Sequence, residues 1–156
     1  MSQGTTYADG LHVLHVEGDS PVKVTGVGLR DAEGIELLGA VVVHPGRKSS
    51  SGGPVLGWPL PGGDAWAREQ LASAPHEDLV GAVLDPGDDT GQGWQVFLGE
   101  KVTTSGTGVR RGYEVTYTVG EQQYVTQTED TAVVCVSTEH VQDGVCDAEL
   151  AIGDHG

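Results

Sequence analysis

The two cysteines, Cys135 and Cys146, are the residues whose spacing says most about chemistry. Ten residues separate them, and a disulfide closing a loop of this size contributes on the order of 3 kcal/mol by the chain-entropy estimate. We predict a Cys135–Cys146 disulfide, formed in an oxidising compartment. A zinc site that adds His140 and His155 is an alternative, although the spacing lacks a CxxC or HxxxH ligand pair. A nucleophilic Cys135 with His140 as its base is a further alternative, disfavoured by the apolar strand around Cys135.

A hard cation such as Ca²⁺ has one candidate site in the acidic loop between two apolar runs. This loop places three carboxylates within five residues: Asp85, Asp88 and Asp89. Carboxylate oxygens are the ligands that Ca²⁺ prefers, but the spacing differs from that of an EF-hand loop. His76, beside Glu77 and Asp78, offers a further metal-binding or acid–base group only if the fold turns these neighbours together. The simpler interpretation of both stretches is a solvated loop.

The long irregular segment 44–64 holds four of the seven prolines. Loops of this length in a compact domain are usually functional or disordered. Its candidate ligand-binding residues are His44, Arg47, Lys48 and Trp58. The stretch around Lys48 is not a phosphate-binding P-loop, because that motif needs Gly-Lys-Ser/Thr after a glycine and four further residues. Its serines do not lie in a Gly-x-Ser-x-Gly elbow either, so no motif here predicts catalysis.

The charge balance excludes several classes of partner. The 156 residues include eight Lys and Arg against 23 Asp and Glu, a formal net charge of −15. A chain with no basic stripe is not suited to binding nucleic-acid phosphates or an anionic membrane surface, whereas it attracts cations and basic partners. An acidic inhibitor or nucleic-acid mimic is a weaker alternative, which requires the carboxylates to line one face. No apolar run approaches the ~18 residues of a membrane span, so we expect no direct membrane insertion.

Short β-type runs must position these residues, and the clearest lie within Val22–Val43. Two apolar runs flank Asp31–Gly34, which predicts a hairpin whose turn ends in a left-handed glycine. The alternation in the first run slips at Thr25, which predicts a β-bulge with Gly26 or Gly28 supplying the unusual backbone. The second run ends apolar on both faces, which is typical of a strand covered on both sides.

A second hairpin is predicted around Gly120 and Glu121, which suit a two-residue type II′ turn. This register sets Tyr117 opposite Tyr124, so the two rings should stack across the strands. A short helix is expected over Ala65–Ala74, between a capping aspartate and a proline.

These elements favour one all-β domain. The polar residues 1–10 are expected to form a disordered lead-in, and residues 11–156 a single domain. Short strands with frequent turn signals indicate an immunoglobulin-like antiparallel β-sandwich of about seven or eight strands with one short helix.

Several stretches resemble uncharacterised extracytoplasmic β-sandwich domains of actinobacteria. The similar stretches are Pro21–Thr25, Asp31–Ala40, Gly112–Tyr117, Gln123-Tyr124 and the strand ending at Cys135. Such domains follow a membrane anchor or a lipoprotein signal, so the resemblance implies an extracytoplasmic location with an anchoring segment outside this sequence. It implies no activity.

We therefore predict a non-catalytic extracytoplasmic binding or interaction domain with an unknown protein or cell-envelope partner. A metal-binding protein that uses Ca²⁺ or Zn²⁺ is the alternative. No catalytic residues and no cofactor are predicted beyond the candidate Ca²⁺ ligands.

Overall fold

The middle strand of the larger sheet, β7 (Trp94–Val102), has two covered faces. Its inward residues Trp94, Val96 and Leu98 are buried, as the alternation predicts, and the outward Phe97 is buried as well. Because a strand that is apolar on both faces needs cover on both sides, the sheet opposite must cover one face and another segment the other.

The computed structural model describes residues 2–43, 55–60, 76–86, 93–136, 141–142 and 145–146. These residues contain thirteen strands: β1 (Thr6–Leu14), β2 (Val22–Leu29), β3 (Ile35–Val43), β4 (Val55–Leu56), β5 (His76–Asp78), β6 (Val83–Leu84), β7 (Trp94–Val102), β8 (Thr107–Arg110), β9 (Tyr113–Val119), β10 (Gln122–Thr128), β11 (Ala132–Cys135), β12 (Val141–Gln142) and β13 (Val145–Cys146).

The strands form two main antiparallel sheets. The larger has the order β4-β1-β7-β3-β5 and the smaller β10-β9-β2-β6, while β8 pairs with β11 and β12 with β13. The predicted all-β antiparallel sandwich is confirmed. The strand number exceeds the seven or eight expected because several strands have only two or three residues.

The main core lies between the two sheets. Its buried side chains come from both: Val24, Ala40, Val42, Leu79, Ala82, Leu84, Trp94, Val96, Leu98, Tyr113 and Val115. Fully burying a side chain as large as valine or leucine contributes roughly 1.5–3 kcal/mol, so these contacts dominate the stability of the fold.

The outer face of the larger sheet is covered by residues 57–60. Trp58 and Leu60 pack against a small cluster that includes Phe97. The Trp58 ring lies over Gly39 and Gly99, where a Cβ added at Gly99 would overlap the ring. Glycine at these two positions therefore provides a flat surface for the indole.

The hairpin predicted within Val22–Val43 is wrong, because β2 belongs to the smaller sheet and β3 to the larger. The intervening loop crosses between the sheets, with Asp31 at φ 46° and Gly34 at φ 72°. The two apolar strands and the left-handed glycine at the end of the loop are as predicted, but the strands face the same core from opposite sides instead of pairing with each other. The bulge is confirmed by a register shift between Val24 and Gly26, but neither Gly26 nor Gly28 has a positive φ.

The N-terminal boundary also differs from the prediction. β1 begins at Thr6, and Tyr7 and Ala8 are buried, so the expected lead-in of residues 1–10 contributes half of its length to the larger sheet. The predicted helix Ala65–Ala74 lies outside the described residues. Within the described ranges, no helix has the length and apolarity needed to cross a membrane.

Candidate functional site

Two features stand out: a buried polar cluster at one end of the main core, and an open cleft whose floor is part of the same core. The cluster begins on β7, whose inward series continues from Leu98 to Glu100 and then Val102. Glu100 is completely buried, as is Arg110 at the end of β8. The Arg110 Nε donates to both carboxylate oxygens of Glu100, at 3.0 and 3.1 Å. A buried ion pair needs such additional hydrogen bonds to offset its desolvation.

The remaining nitrogens of Arg110 are also engaged. Nη1 donates to the Asp130 carbonyl at 2.6 Å, and Nη2 to the Asp9 carboxylate at 2.5 Å. Among the described residues, every buried side-chain nitrogen or oxygen has a hydrogen-bond partner. We call these residues, with His12, the Arg110 cluster: Asp9, His12, Glu100, Arg110 and Asp130.

A bulge in β1 brings Asp9 and His12 into this cluster. Residues three apart in a regular strand point to opposite faces, but the register shifts between Asp9 and His12, so both turn inward. His12 Nε2 lies 3.2 Å from the Asp9 carboxylate and Nδ1 lies 3.0 Å from that of Asp130. Its ring forms a T-shaped pair with that of Tyr113, with 4.7 Å between the ring centroids and an interplanar angle of 73°.

Burial shifts the titration of three groups around the cluster. It raises the pKa of Glu100, a rise that the Arg110 guanidinium opposes. It raises the pKa of Tyr7, whose hydroxyl donates to Glu100 at 3.3 Å, and the Glu100 charge adds to that rise. Burial and then the Asp130 carboxylate raise the pKa of Tyr113 to about 12.

Asp9, His12 and Asp130 also have the ligand types of a metal site, since one ligand atom from each lies within 4.8 Å of the others. However, Arg110 Nη2 lies 2.5 Å from the Asp9 oxygen and 3.4 Å from His12 Nε2. A guanidinium cation therefore already lies beside two of the three ligands. The cluster is better suited to holding strands together than to binding a metal.

The cleft lies between the β9–β10 hairpin and the segment Leu14–Ser20, and its volume is about 570 Å³. Ligand pockets commonly measure about 300–1,000 Å³. Its floor is part of the main core and consists of Val24, Leu84 and Val115. We call it the tyrosine cleft.

One wall of the tyrosine cleft is the stacked pair Tyr117 and Tyr124, whose ring centroids lie 5.6 Å apart at an interplanar angle of 23°. The register Tyr117↔Tyr124 across the turn at Gly120 and Glu121 is the one predicted, and Gly120 has φ 59°. Among the described residues, those that line the cleft include the acidic Glu17 and Asp19 but no Lys or Arg. The cleft therefore offers an apolar floor, an aromatic wall and an acidic rim.

The structure describes only part of the ligand-binding set predicted from the sequence. Trp58 lies on the outer face of the larger sheet, away from the residues that line the tyrosine cleft. His44, Arg47 and Lys48 lie outside the described residues. A ligand role for this set stays a prediction.

Of the three carboxylates predicted to bind Ca²⁺, only that of Asp85 lies among the described residues. Asp85 is exposed, and its main-chain carbonyl accepts a hydrogen bond from the Trp94 indole at 3.2 Å. Asp88 and Asp89 lie outside the described residues, as do His140 and His155 of the zinc alternative. His76, Glu77 and Asp78 were interpreted as a solvated loop, but they form the strand β5.

None of the residues of the Arg110 cluster was predicted from the sequence to belong to a site. One signal was present: Glu100 continues the inward series Trp94, Val96 and Leu98 on the same strand. Arg110 was hidden because no β-type run was predicted around it. His12 was hidden because residues 1–10 were expected to form a disordered lead-in, so Gly10, which lies within the bulge between Asp9 and His12, was not interpreted as a bulge signal.

Comparison with protein families, with curated proteins and with solved structures found no match to this chain. The site is therefore interpreted from its own geometry.

Proposed function

We propose that this protein is a non-catalytic binding domain whose tyrosine cleft receives the apolar part of a positively charged ligand. The observation that carries the proposal is the cleft itself, which has an apolar floor and stacked tyrosines. Aromatic side chains supply a large contact area at low conformational cost, which suits them to binding surfaces. The acidic rim and the net charge of −15 favour a cationic ligand.

A matched pair of small probes tests this proposal. We expect 4-phenylbutylamine to shift the amide NMR signals of Val115, Tyr117 and Tyr124, because its ring fits the cleft and its ammonium group faces the acidic rim. The anion 4-phenylbutyrate has a similar aromatic tail and should bind at least about tenfold more weakly, a difference of about 1.4 kcal/mol.

Two variants with the same charge change provide the control. Thr126 lines the cleft, whereas Gln123 lies on the opposite face of the same strand. Thr126→Lys should abolish binding of the amine, and Gln123→Lys should change it by less than about twofold, since a distant exposed charge is screened by salt. Equal binding of both probes, or equal loss in both variants, would contradict the proposal.

The extracytoplasmic location and the disulfide belong to the same proposal. Cys135 ends β11 and Cys146 ends β13, and these two strands are neighbours, which supports a bridge between them. Thiol titration of the denatured protein purified from an oxidising compartment should give no free thiol before reduction and two after it. Two thiols before reduction would exclude the bridge.

A further inference from the structure

The outer main-chain edge of β10 is a second surface next to the tyrosine cleft, and the proposed function does not involve it. Strand edges in natural proteins are usually protected by shortness, charge or cover. The other edge strands of the two main sheets follow this rule: β4 and β6 have two residues each, and β5 is the charged triplet His76-Glu77-Asp78. β10 has seven residues with no charge, proline or glycine.

The hydrogen-bonding groups on this edge can be assigned from the hairpin register. Val119 and Gln122 flank the two-residue turn and form a hydrogen-bonded pair, after which bonded and non-bonded pairs alternate. The N–H and C=O groups of Gln123, Val125 and Gln127 therefore point away from β9. No described residue hydrogen-bonds to these main-chain groups.

Charges at the two ends of β10 argue against a second copy of this chain as the occupant. Antiparallel self-pairing of all seven residues would centre on Val125 and set Glu121 of one copy opposite Glu129 of the other at both ends. Like charges directly opposite each other are destabilising, and each copy also carries a net charge of −15. A strand with basic residues at its ends has the complementary pattern.

The side chains of an added strand would reach the tyrosine cleft. A neighbouring strand lies about 4.8 Å from β10, and its alternate side chains project on the same face as Tyr124 and Thr126. Val125, about half exposed, offers an apolar contact on the other face. An occupant with apolar side chains in alternate positions therefore meets the cleft on one face and Val125 on the other.

We propose that β10 receives an extended segment of a partner protein, a neutral strand-forming stretch flanked by Lys or Arg, which pairs with the free edge and places alternate side chains at the tyrosine cleft. This mode of recognition takes its affinity from main-chain hydrogen bonds and its specificity from alternate side chains. The inference rests on the proposed function, because the cleft is the site that receives those side chains.

The test uses the peptide Lys-Lys-Val-Thr-Val-Thr-Val-Lys-Lys with both ends blocked. We expect it to bind the whole protein and to slow hydrogen exchange of the Gln123, Val125 and Gln127 amides by at least about tenfold. A version with Glu in place of each Lys should bind at least about tenfold more weakly. N-methylation of the alternate peptide amides that would face β10 should abolish binding.

Val125 provides a sharp protein variant. Its N–H points away from β9, so Val125→Pro removes an edge donor without removing a bond of the β9–β10 ladder, as edge positions allow. We expect Val125→Pro to weaken peptide binding by about tenfold or more, and Val125→Thr, which keeps the N–H, by less than about threefold. Both variants should bind 4-phenylbutylamine as the unaltered protein does, because Val125 does not line the cleft.

The outcomes separate the two proposals. If the amine binds in the cleft but the peptide leaves the β10 amides unchanged, strand addition is overturned and the proposed function stands. If neither probe binds, both are overturned. If the Gln123, Val125 and Gln127 amides are already protected from hydrogen exchange in the protein alone, strand addition by a partner protein is overturned, because the edge is occupied. If the protected protein is a dimer that Val125→Pro abolishes, the occupant is a second copy. If it is a monomer, the occupant is another segment of this chain.

Discussion

The Arg110 cluster and the β10 edge are two polar regions of one sandwich that find their hydrogen-bond partners in different places. In the cluster, Arg110 donates to Glu100, Asp9 and the Asp130 carbonyl, all within the chain. Along β10, the main-chain groups of alternate residues point outward with no described partner. The first arrangement joins strands of the fold, and the second leaves groups available for binding.

This difference has an energetic consequence. A buried charge that loses its partner keeps its desolvation penalty, whereas an exposed group that loses a partner returns to water. Substitutions in the Arg110 cluster should therefore act mainly on the free energy of unfolding. Substitutions along β10 and the tyrosine cleft should act mainly on ligand binding.

The largest effect is expected when Glu100 is removed. Glu100→Ala leaves the guanidinium of Arg110 buried without its main counter-charge, which should lower the free energy of unfolding by about 3–5 kcal/mol in urea denaturation. Glu100→Gln keeps the shape and one acceptor but no charge, and should lie between Glu100→Ala and the unaltered protein. Glu36→Ala removes a carboxylate from an exposed position on the neighbouring strand and should change stability by less than about 0.5 kcal/mol. A loss below about 1 kcal/mol for Glu100→Ala would show that the cluster is no different from the surface.

The second effect is a loss of stability at high pH from the tyrosines beside the cluster. The folded-state pKa of Tyr113 is raised to about 12, above an unfolded value of about 10. Its contribution is full below pH 10 and is lost as the pH rises toward 12, at about 1.4 kcal/mol per pH unit, because only the unfolded state releases its proton in that interval. Tyr7 acts in the same direction because its pKa is also raised.

Denaturation curves between pH 8 and 11 measure this slope. Tyr113→Phe should make the decline shallower above pH 10 and leave the contribution of Tyr7. Tyr124→Phe removes one phenol hydroxyl from an exposed position. An equal change of slope in both variants would show that the alkaline loss does not come from the buried tyrosine.

The same comparison explains how much could be predicted from the sequence. The turn and the register of the β9–β10 hairpin were predicted to the residue, because the turn, the alternation and the aromatic pair are all local in sequence. The β2–β3 relation was mispredicted because a turn signal does not state whether the chain returns to the same sheet or crosses to the other one. That choice depends on β7 and β9, which lie far along the chain and pair with β3 and β2.

The Arg110 cluster could not be predicted from the sequence, for the same reason. Arg110 and Asp9 are 101 positions apart in the sequence, and only the bulge in β1 turns Asp9 and His12 to the same side. The free edge of β10 depends equally on topology, since its composition was visible but its place at the end of a sheet was not. Local signals therefore predicted strands, whereas the sites depend on contacts between distant strands.

The smallest stability effect concerns the stacked pair Tyr117 and Tyr124. A double-mutant cycle with alanine at both positions should give a coupling energy of about 0.5–1.5 kcal/mol, the usual range for aromatic pairs. The cross-strand pair Thr116 and Val125, on the outer face of the same hairpin, provides the control and should couple less strongly.

The decisive measurement adds 4-phenylbutylamine to the Tyr124→Ala variant, whose affinity should fall by about tenfold or more, although the protein remains nearly as stable as before. If stability and affinity fell together by similar free energies, Tyr124 would act as a core contact, and the distinction between a polar cluster that stabilises the fold and a cleft that binds a ligand would not hold.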